Sequence, residues 1–252
     1  GRERLYTDDD VMAIAEIYLK TIKETFHVND DDLQAYVFGR GEAPSVETKN
    51  NKTEYKDGFH IYFPSVPLRG EFRYLLYQAV LTKLKKMNIF KDIPLLEPIE
   101  KVFDPSVVYT NGILMFGCHK KGRNSYVLTH KFRYNNKSKT VYQESIRELV
   151  NDKIELVEMT SLRLYDEEST LEIKDKKLIK TAIRIAKEKK YPTDLVDESD
   201  NDTDIETNTE MSTDTMNFKI KPSKLVEKKQ IPYCICCNKP YGNPPENDQL
   251  IR

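Results

Sequence analysis

The chain has 252 residues, of which 32% are charged and 38% hydrophobic, a composition typical of a soluble globular protein with solvated extra segments. No apolar run approaches the ~20 residues that span a bilayer. The first residues, Gly1-Arg2-Glu3-Arg4, do not lead into a signal-peptide core, so the sequence gives no indication of membrane insertion or export.

Charge is distributed unevenly along the chain, although the net charge is only -1. The segment from Thr193 to Asn217 contains no Lys or Arg and many Asp and Glu residues, so the rest of the chain is net basic. Of the four Cys residues, three lie between Cys234 and Cys237, which favours a reducing, intracellular setting over a secretory disulfide framework. Because the chain begins with Gly1, we expect a processed chain or an excised fragment.

The first half of the chain predicts two amphipathic helices and two strands. Asp8-Asp9-Asp10 precedes apolar residues at three-to-four spacing as far as Phe26, which predicts a helix with an acidic start. Gln34–Phe38 predicts a short strand, followed by a polar loop through Asn51. His60–Phe63 predicts a second strand, which Pro64 ends. Glu71–Met87 predicts a core-facing helix.

The second half predicts shorter elements in no strict alternation. Strands are expected at Val102–Asp104, Ile113–Phe116 and Tyr126–Thr129, and helices at Glu144–Val150 and Lys177–Lys187. The mixture of helices and strands favours the α+β class. From Pro192 to Asn217 the chain lacks the apolar content that offsets conformational entropy, so we expect a disordered acidic linker there.

The first candidate functional segment is Lys56-Asp57-Gly58-Phe59-His60, at the entrance to a predicted strand. On an extended chain Lys56, Gly58 and His60 would face the same side, because side chains alternate with a period of two. A cation, an accessible backbone and an imidazole suit the binding of a polyanion. A turn followed by a strand with a half-exposed His60 explains the pattern equally well.

The second candidate is Asp104, which follows the apolar residues Val102 and Phe103 and precedes the basic segment Gly117–Arg123. A carboxylate at the end of a strand can hold a divalent metal whose remaining coordination positions are open to substrate phosphates. The alternative is an Asp that caps a helix or turn, beside a solvated basic turn.

Together, Lys56–Pro64 and the stretch from Asp104 through Gly117 to Lys120 resemble archaeo-eukaryotic primases. The resemblance is strongest to the primase-polymerase domain of the poxvirus-type primase-helicases of nucleocytoplasmic large DNA viruses, and it spans about residues 5–130. It implies an RRM-like catalytic core, with a primase-polymerase domain over residues 1–190, the acidic linker over 191–220 and a Cys-containing tail over 221–252.

The resemblance also implies residue roles. Gly58-Phe59-His60 matches the family's small-residue-x-His motif, with Gly where Ser is common, and Phe103-Asp104 matches its apolar-Asp motif. By that match His60 would contact the phosphates of an incoming nucleotide, Asp104 would be a catalytic metal ligand for Mg²⁺ or Mn²⁺, and Lys56 and Lys120 would bind the triphosphate. Some members carry an arginine where this chain has Leu114-Met115, which leaves only Arg123 for that role.

The family's first motif, a strand with two metal-binding acids, is not evident. Asp8-Asp9-Asp10 begins a helix and Asp30-Asp31-Asp32 lies in a loop, so both are interpreted as caps or turns. In the family the paired acids precede a segment like Arg4–Thr7, which would place them before Gly1. Nucleotidyl transfer uses two metal ions, so we expect the chain by itself to be inactive and the complete domain to be active.

The resemblance therefore implies an enzyme that makes primers during viral DNA replication, inside the host cytoplasm or nucleus. Its partners would be a single-stranded DNA template, nucleoside triphosphates and a fused or associated helicase, with no membrane. Gap filling or translesion synthesis by the same site is an alternative, as is a catalytically inactive module that binds single-stranded DNA or nucleotides.

Cys234 and Cys237 have the separation of half a zinc site. Zinc needs about four ligands, so a bound ion would require others from beyond Arg252 or from a partner. Free thiols in a tail are the alternative.

Overall fold

Helices and antiparallel strands alternate irregularly in the computed structural model, which describes residues 4–40, 44–49, 52–109, 113–114, 116–119, 125–160 and 170–189. The helices are α1 (Asp8–Thr25), α2 (Gly70–Met87), α3 (Ile99–Val102), α4 (Ser106–Tyr109), α5 (Arg147–Asn151), α6 (Lys153–Thr160) and α7 (Lys177–Lys189). The strands are β1 (Gln34–Arg40), β2 (Ser45–Lys49), β3 (Lys52–Lys56), β4 (Phe59–Tyr62), β5 (Tyr126–Asn135) and β6 (Thr140–Glu144). The α+β class is confirmed.

Helix α1 begins at a complete capping box. The Thr7 hydroxyl accepts from the Asp10 backbone N–H, and the Asp10 carboxylate accepts from the Thr7 backbone N–H at 2.8 Å. Asp8–Asp10 therefore form the first turn of a helix, as predicted, where their charge also suits the helix dipole. Asp30–Asp32 form a short 3₁₀ turn, so the interpretation of both acidic triplets as caps or turns is confirmed.

A four-stranded antiparallel sheet in the order β4-β1-β5-β6 is the centre of the fold. Because side chains alternate along a strand, each strand contributes to two faces. One face packs on α1 through residues such as Ala35, Val37 and Phe132, all buried, and α2 packs on α1 in the same core. The opposite face carries the aromatic side chains Tyr36, Phe38, Tyr62 and Tyr126 together with Leu128. Below, this second surface is called the aromatic face.

A bulge in β5 decides which of its side chains reach the aromatic face. Val37 pairs with His130 and Phe38 pairs with Leu128, so Thr129 is the extra residue between them. Its hydroxyl donates to the Val37 carbonyl at 3.1 Å. Leu128 consequently lies on the aromatic face, whereas His130 and Phe132 lie on the face covered by α1, where the His130 imidazole is 3.2 Å from the Asp8 carboxylate.

Several predicted elements differ from the structure. The predicted strand Val102–Asp104 is wrong: Val102 ends the one-turn helix α3, and Phe103 and Asp104 lie outside any strand. Pro98 starts that turn and Pro105 follows Asp104, and an apolar run this short does not distinguish strand from helix. At Ile113–Phe116 the described residues 113, 114 and 116 are likewise not in a strand.

Two pairings were not predicted. Instead of a loop through Asn51, β2 and β3 form a separate two-stranded hairpin. Strand β6 occupies Thr140–Glu144, so the helix expected from Glu144 begins only at Arg147. The other predicted elements are confirmed within a few residues: β1, β4, β5, α1, α2 and α7. The exception is the end of β5, which continues six residues beyond Thr129.

No helix in the part of the chain that the structure describes is long and apolar enough to cross a membrane. The acidic linker and the tail with Cys234 and Cys237 lie outside the described residues, as do Lys120 and Arg123.

Candidate functional site

The segment Lys56–His60 connects the two sheets. Lys56 is the last residue of β3, and His60 lies in β4 of the four-stranded sheet. Between them the backbone of Gly58 has φ +151°, a conformation that residues with a Cβ rarely adopt. The regular alternation expected from Lys56 to His60 is therefore interrupted, and the two side chains are placed by two sheets rather than by one strand.

Asp57 anchors this turn on both sides. Its Oδ1 accepts from the Gly58 backbone N–H at 2.8 Å, and its Oδ2 accepts from Arg4 Nε at 2.9 Å. Arg4 also donates to the Arg40 carbonyl at 2.6 Å, which ties the turn to the end of β1. The carboxylate of Asp57 thus has a structural role in holding the turn that precedes His60.

His60 lies on the aromatic face at the edge of the sheet, opposite Phe38 on β1. Its imidazole stacks on the Tyr126 ring, with centroids 4.0 Å apart and an interplanar angle of 17°. The ring of Tyr62 meets it edge-on at 6.5 Å. His60 is half-buried, whereas Tyr62 and Tyr126 are buried, so the imidazole is held against a rigid aromatic surface.

Arg40 and Tyr126 are site residues that sequence reasoning missed. Arg40 Nε donates to the Tyr126 hydroxyl at 3.2 Å, and Arg40 Nη1 donates to the Lys56 carbonyl at 3.3 Å. The guanidinium also lies 5.5 Å from the centre of the Tyr126 ring. The sequence signals were weak: Arg40 lies two residues beyond the predicted strand Gln34–Phe38, and Tyr126 is the first residue of another predicted strand.

The candidate residues that the structure describes line one extended cavity of about 1460 Å³. Lys56, Gly58, His60 and Asp104 all line it, so the structure places both family-like segments along one space. Arg40 and Tyr126 line it too, as do residues at the start of α2. The cavity is large enough for a drug-sized or nucleotide-sized ligand, since such pockets measure roughly 300–1,000 Å³.

Asp104 reaches the cavity from a turn. Its side chain is exposed, and Oδ1 accepts from the Ser106 backbone N–H at 2.9 Å, which caps the short helix α4. This is the capping geometry that the sequence left open as the alternative to a metal ligand. A carboxylate has two oxygens and several acceptor positions, so capping by Oδ1 does not prevent Oδ2 from binding a cation.

Other acidic side chains along the cavity are engaged by cations. Glu97 is 2.8 Å from Lys101 Nζ, and the buried Glu71 is 3.8 Å from Arg69 Nε. Among the described residues, no group of three or more His, Cys, Asp or Glu side chains could hold a metal ion. A pair of divalent cations needs more oxygen ligands than Asp104 supplies, so the described residues alone do not fit a two-metal centre.

Residues 113, 114 and 116 cover part of the aromatic face. The Tyr62 hydroxyl donates to the Leu114 carbonyl, and the Phe116 ring is 6.1 Å from that of Phe38. Burial raises the pKa of Tyr62 above its ordinary value, so this hydroxyl stays protonated and remains a donor at neutral pH. Ile113 lines the cavity from this segment.

Comparisons with known proteins agree with the residue pattern. The family profile described as "C962R protein N-terminal AEP domain" matches residues 2–132 of the chain. A protein of Acanthamoeba polyphaga mimivirus named "Putative helicase L207/L206" is 31% identical over 124 residues, which are 49% of this chain and 12% of that protein. The match thus spans about an eighth of the relative's length. No solved structure gives a significant match.

Proposed function

The chain belongs to the archaeo-eukaryotic primase family, whose profile covers residues 2–132, and from this we propose that it is the nucleotide-binding part of a template-dependent DNA primase. The observation that supports this most strongly is the fixed imidazole of His60, which lines one cavity with Lys56 and Asp104. An imidazole, a lysine ammonium and a carboxylate are residue types that suit a triphosphate and its divalent cation.

Phosphate binding is the role proposed for the Lys56–His60 segment, with Lys120 as a further cation. An imidazole N–H donates directionally to a phosphate oxygen, and a lysine ammonium supplies a point charge. Apart from Gly58 and its two chain neighbours, no atom of the described residues lies within 4 Å of the position where a Cβ of Gly58 would be, so the backbone there is open to close approach by a ligand.

The proposed reaction is nucleotidyl transfer. The hydroxyl at the end of the primer loses its proton to water and forms a new bond to the α-phosphorus of a nucleoside triphosphate, the bond from that phosphorus to the bridging oxygen breaks, and pyrophosphate leaves. Catalysis of such transfers is mainly positioning and charge stabilisation. His60 and Lys56 would orient the leaving pyrophosphate and stabilise its negative charge.

Mg²⁺ or Mn²⁺ is the proposed cofactor, with Asp104 as one ligand. Because Asp104 is a single carboxylate, the remaining ligands would come from substrate phosphates, water and acidic residues other than those that the structure describes beside it.

The proposed partners are a helicase and a single-stranded DNA template. The proposed location is an intracellular viral replication site. The mimivirus relative is named as a helicase and is much longer than the matched segment, which supports a primase domain joined to a helicase. Gap filling and translesion synthesis would use the same chemistry. They differ from priming in needing a pre-formed primer.

Primer synthesis on single-stranded DNA by the full-length protein tests the proposal. His60→Ala should lower the rate by about 100- to 1,000-fold, as removal of one transition-state donor does in other enzymes. Asp104→Asn keeps an oxygen for the α4 cap but removes the charge that a metal needs, and should reduce the rate at least as much.

Two variants are matched controls for these substitutions. His27 is exposed and lies outside the cavity, so His27→Ala should leave the rate unchanged. Asp175 caps α7 through Oδ1 and the Lys177 backbone N–H at 2.9 Å, the same geometry as at Asp104, so Asp175→Asn should also be neutral. Full activity in both His60→Ala and Asp104→Asn would overturn the site assignment.

The same assay separates the alternatives. Extension of an annealed primer without synthesis on bare template would indicate gap filling. Triphosphate binding that depends on His60, without any synthesis by the full-length protein, would indicate the inactive binding module. The expectation that the 252-residue chain alone is inactive stays a prediction, and synthesis by it would contradict that expectation.

A further inference from the structure

We propose that Tyr126 and Arg40 are positioning residues that fix the imidazole of His60 and its placement relative to Lys56. The inference rests on the proposed role of His60 in phosphate binding. It concerns residues from two other strands, and neither of them belongs to the motif that contains His60.

The stack between His60 and Tyr126 bridges two strands that are not neighbours. His60 belongs to β4 and Tyr126 to β5, and β1 lies between them in the sheet. Across β1, His60 is paired with Phe38 while Tyr126 is paired with Arg40. Since adjacent strands are about 4.8 Å apart, strands on either side of β1 are roughly 10 Å apart. The two side chains must therefore lean towards each other over β1 to stack at 4.0 Å.

Packing leaves little freedom to this stack. Tyr126 is 7% exposed and belongs to the buried cluster of the aromatic face. His60 also meets the Tyr62 ring edge-on, and Tyr62 is itself fixed edge-on against Phe38 with centroids 5.2 Å apart. One face of the imidazole is covered by Tyr126 and Nδ1 is buried, whereas a hydrogen bond from Nε2 lies in the ring plane, so stacking sets the orientation of the ring without blocking that direction.

Arg40 connects the stack to the neighbouring hairpin. Through Nε it holds the Tyr126 hydroxyl, and through Nη1 it holds the Lys56 carbonyl at the end of β3. Lys56 and His60 lie in different sheets, separated by the irregular backbone at Gly58. The fork of one guanidinium thus links the ring on which His60 stacks to the backbone of Lys56, and a lysine ammonium cannot reproduce both bonds with the same geometry.

Without the stack, the His60 side chain would populate several rotamers, and triphosphate binding would have to order it in one of them. Ordering a side chain at a binding site costs about 0.5–1.5 kcal/mol, which corresponds to a roughly 2- to 10-fold loss of affinity. Loss of the His60 donor itself should have a larger effect, about a 10- to 100-fold loss of affinity, since its hydrogen bond would be to a charged group.

The test combines nucleotide binding with NMR of the histidine side chains in the 252-residue chain. The chain contains only four histidines, so their ring signals can be assigned by substitution. Stacking on Tyr126 should displace the His60 ring protons upfield through the ring current. Binding is measured by titration with dATP and with ATP in the presence of Mg²⁺.

Tyr126→Leu should remove the upfield displacement and weaken triphosphate binding about 2- to 10-fold. Tyr126→Phe keeps the stacked ring and should retain the displacement, with most of the affinity. Tyr142 is an exposed tyrosine on β6 of the same sheet and does not line the cavity, so Tyr142→Leu is the matched control and should change neither readout.

Arg40→Lys gives a second route if Tyr126→Leu disturbs the fold, which altered signals of His27 and His130 would reveal. It keeps the positive charge but loses the fork, so it should shift the His60 signals and weaken binding. The positioning role would be overturned if Tyr126→Leu lost the stack but kept its affinity for triphosphate. If Tyr126→Leu misfolds, unchanged affinity in Arg40→Lys would overturn it instead. Unchanged affinity in His60→Ala would instead overturn the proposed function.

Discussion

Gly58 provides a test of the turn that presents His60, because its backbone conformation is one that only glycine adopts easily. Its φ is +151°, and a Cβ at this position would meet no atom within 4 Å among the described residues beyond its two chain neighbours. Gly58→Ala should therefore introduce backbone strain without a steric clash. Strain of this kind costs about 1–3 kcal/mol of folding free energy.

Gly70 is a matched control, since it differs from Gly58 in backbone conformation but not in available space. Its φ is not positive, and a Cβ added at this position would have Arg73 Nη2 as its nearest atom, at 3.9 Å. Gly70 is the first residue of α2, where alanine is the better helix former. Gly70→Ala should be neutral or stabilising by up to about 1 kcal/mol.

Urea unfolding followed by circular dichroism measures both variants. Gly58→Ala should lower the urea concentration at the unfolding midpoint without changing the slope of the unfolding free energy against urea concentration. The thermal midpoint Tm should fall by about 2–4 °C for each kcal/mol of stability lost. The variant should also bind triphosphate more weakly if the turn relaxes and displaces His60. A Gly58→Ala chain as stable as Gly70→Ala would refute the claim that this turn requires glycine.

Two further predictions concern stability. Burial works against ionisation of Glu144, but hydrogen bonds from Lys131 and Arg133 hold its pKa below the ordinary value. The ionised carboxylate therefore stabilises the folded chain fully above the unfolded pKa of about 4.3. This stabilisation is lost as the pH falls through the lower pKa of the folded state. Glu144→Gln should therefore cost about 1 kcal/mol at pH 7 in urea unfolding, with a difference from wild type that shrinks in acid; an equal difference at pH 3 would contradict this. Thr7→Ala removes the capping box of α1 and should cost about 1 kcal/mol in the same assay, whereas an unchanged midpoint would show that the cap does not stabilise the helix.

The long amphipathic helices were predictable because their apolar residues repeat over many turns. In α1 the repeat runs from Val11 to Ile22, and every predicted apolar position along it except Tyr18 is among the buried residues. Strand β4 was predictable from its β-branched and aromatic residues, with Pro64 as a stop. Where the pattern was short the prediction failed, as at Val102–Asp104, because prolines on both sides allow a single helical turn instead.

Strands β2 and β3 were missed because their polar sequences carry no apolar alternation. They pair with each other in a small separate sheet. Their sequences therefore do not need the alternating apolar residues of a strand that buries one face in a large core.

The composition of the site was only partly predictable. His60, Lys56 and Asp104 were predicted from family-like spacing, and all three line the cavity, while their roles stay predictions. Arg40 and Tyr126 were not found, because the bond between them joins residues 86 positions apart. That contact is created by the pairing of β1 with β5 and by the bulge at Thr129, neither of which is encoded in the spacing of a single segment.

Triphosphate binding by His60→Ala, compared with His27→Ala, tests the central claim most directly, because it does not require a complete catalytic centre. If the imidazole donates to a phosphate, His60→Ala should weaken binding of dATP or ATP by about 10- to 100-fold while His27→Ala leaves it unchanged. Equal affinities for wild type and both variants would contradict the assignment of the Lys56–His60 segment as a nucleotide-binding site.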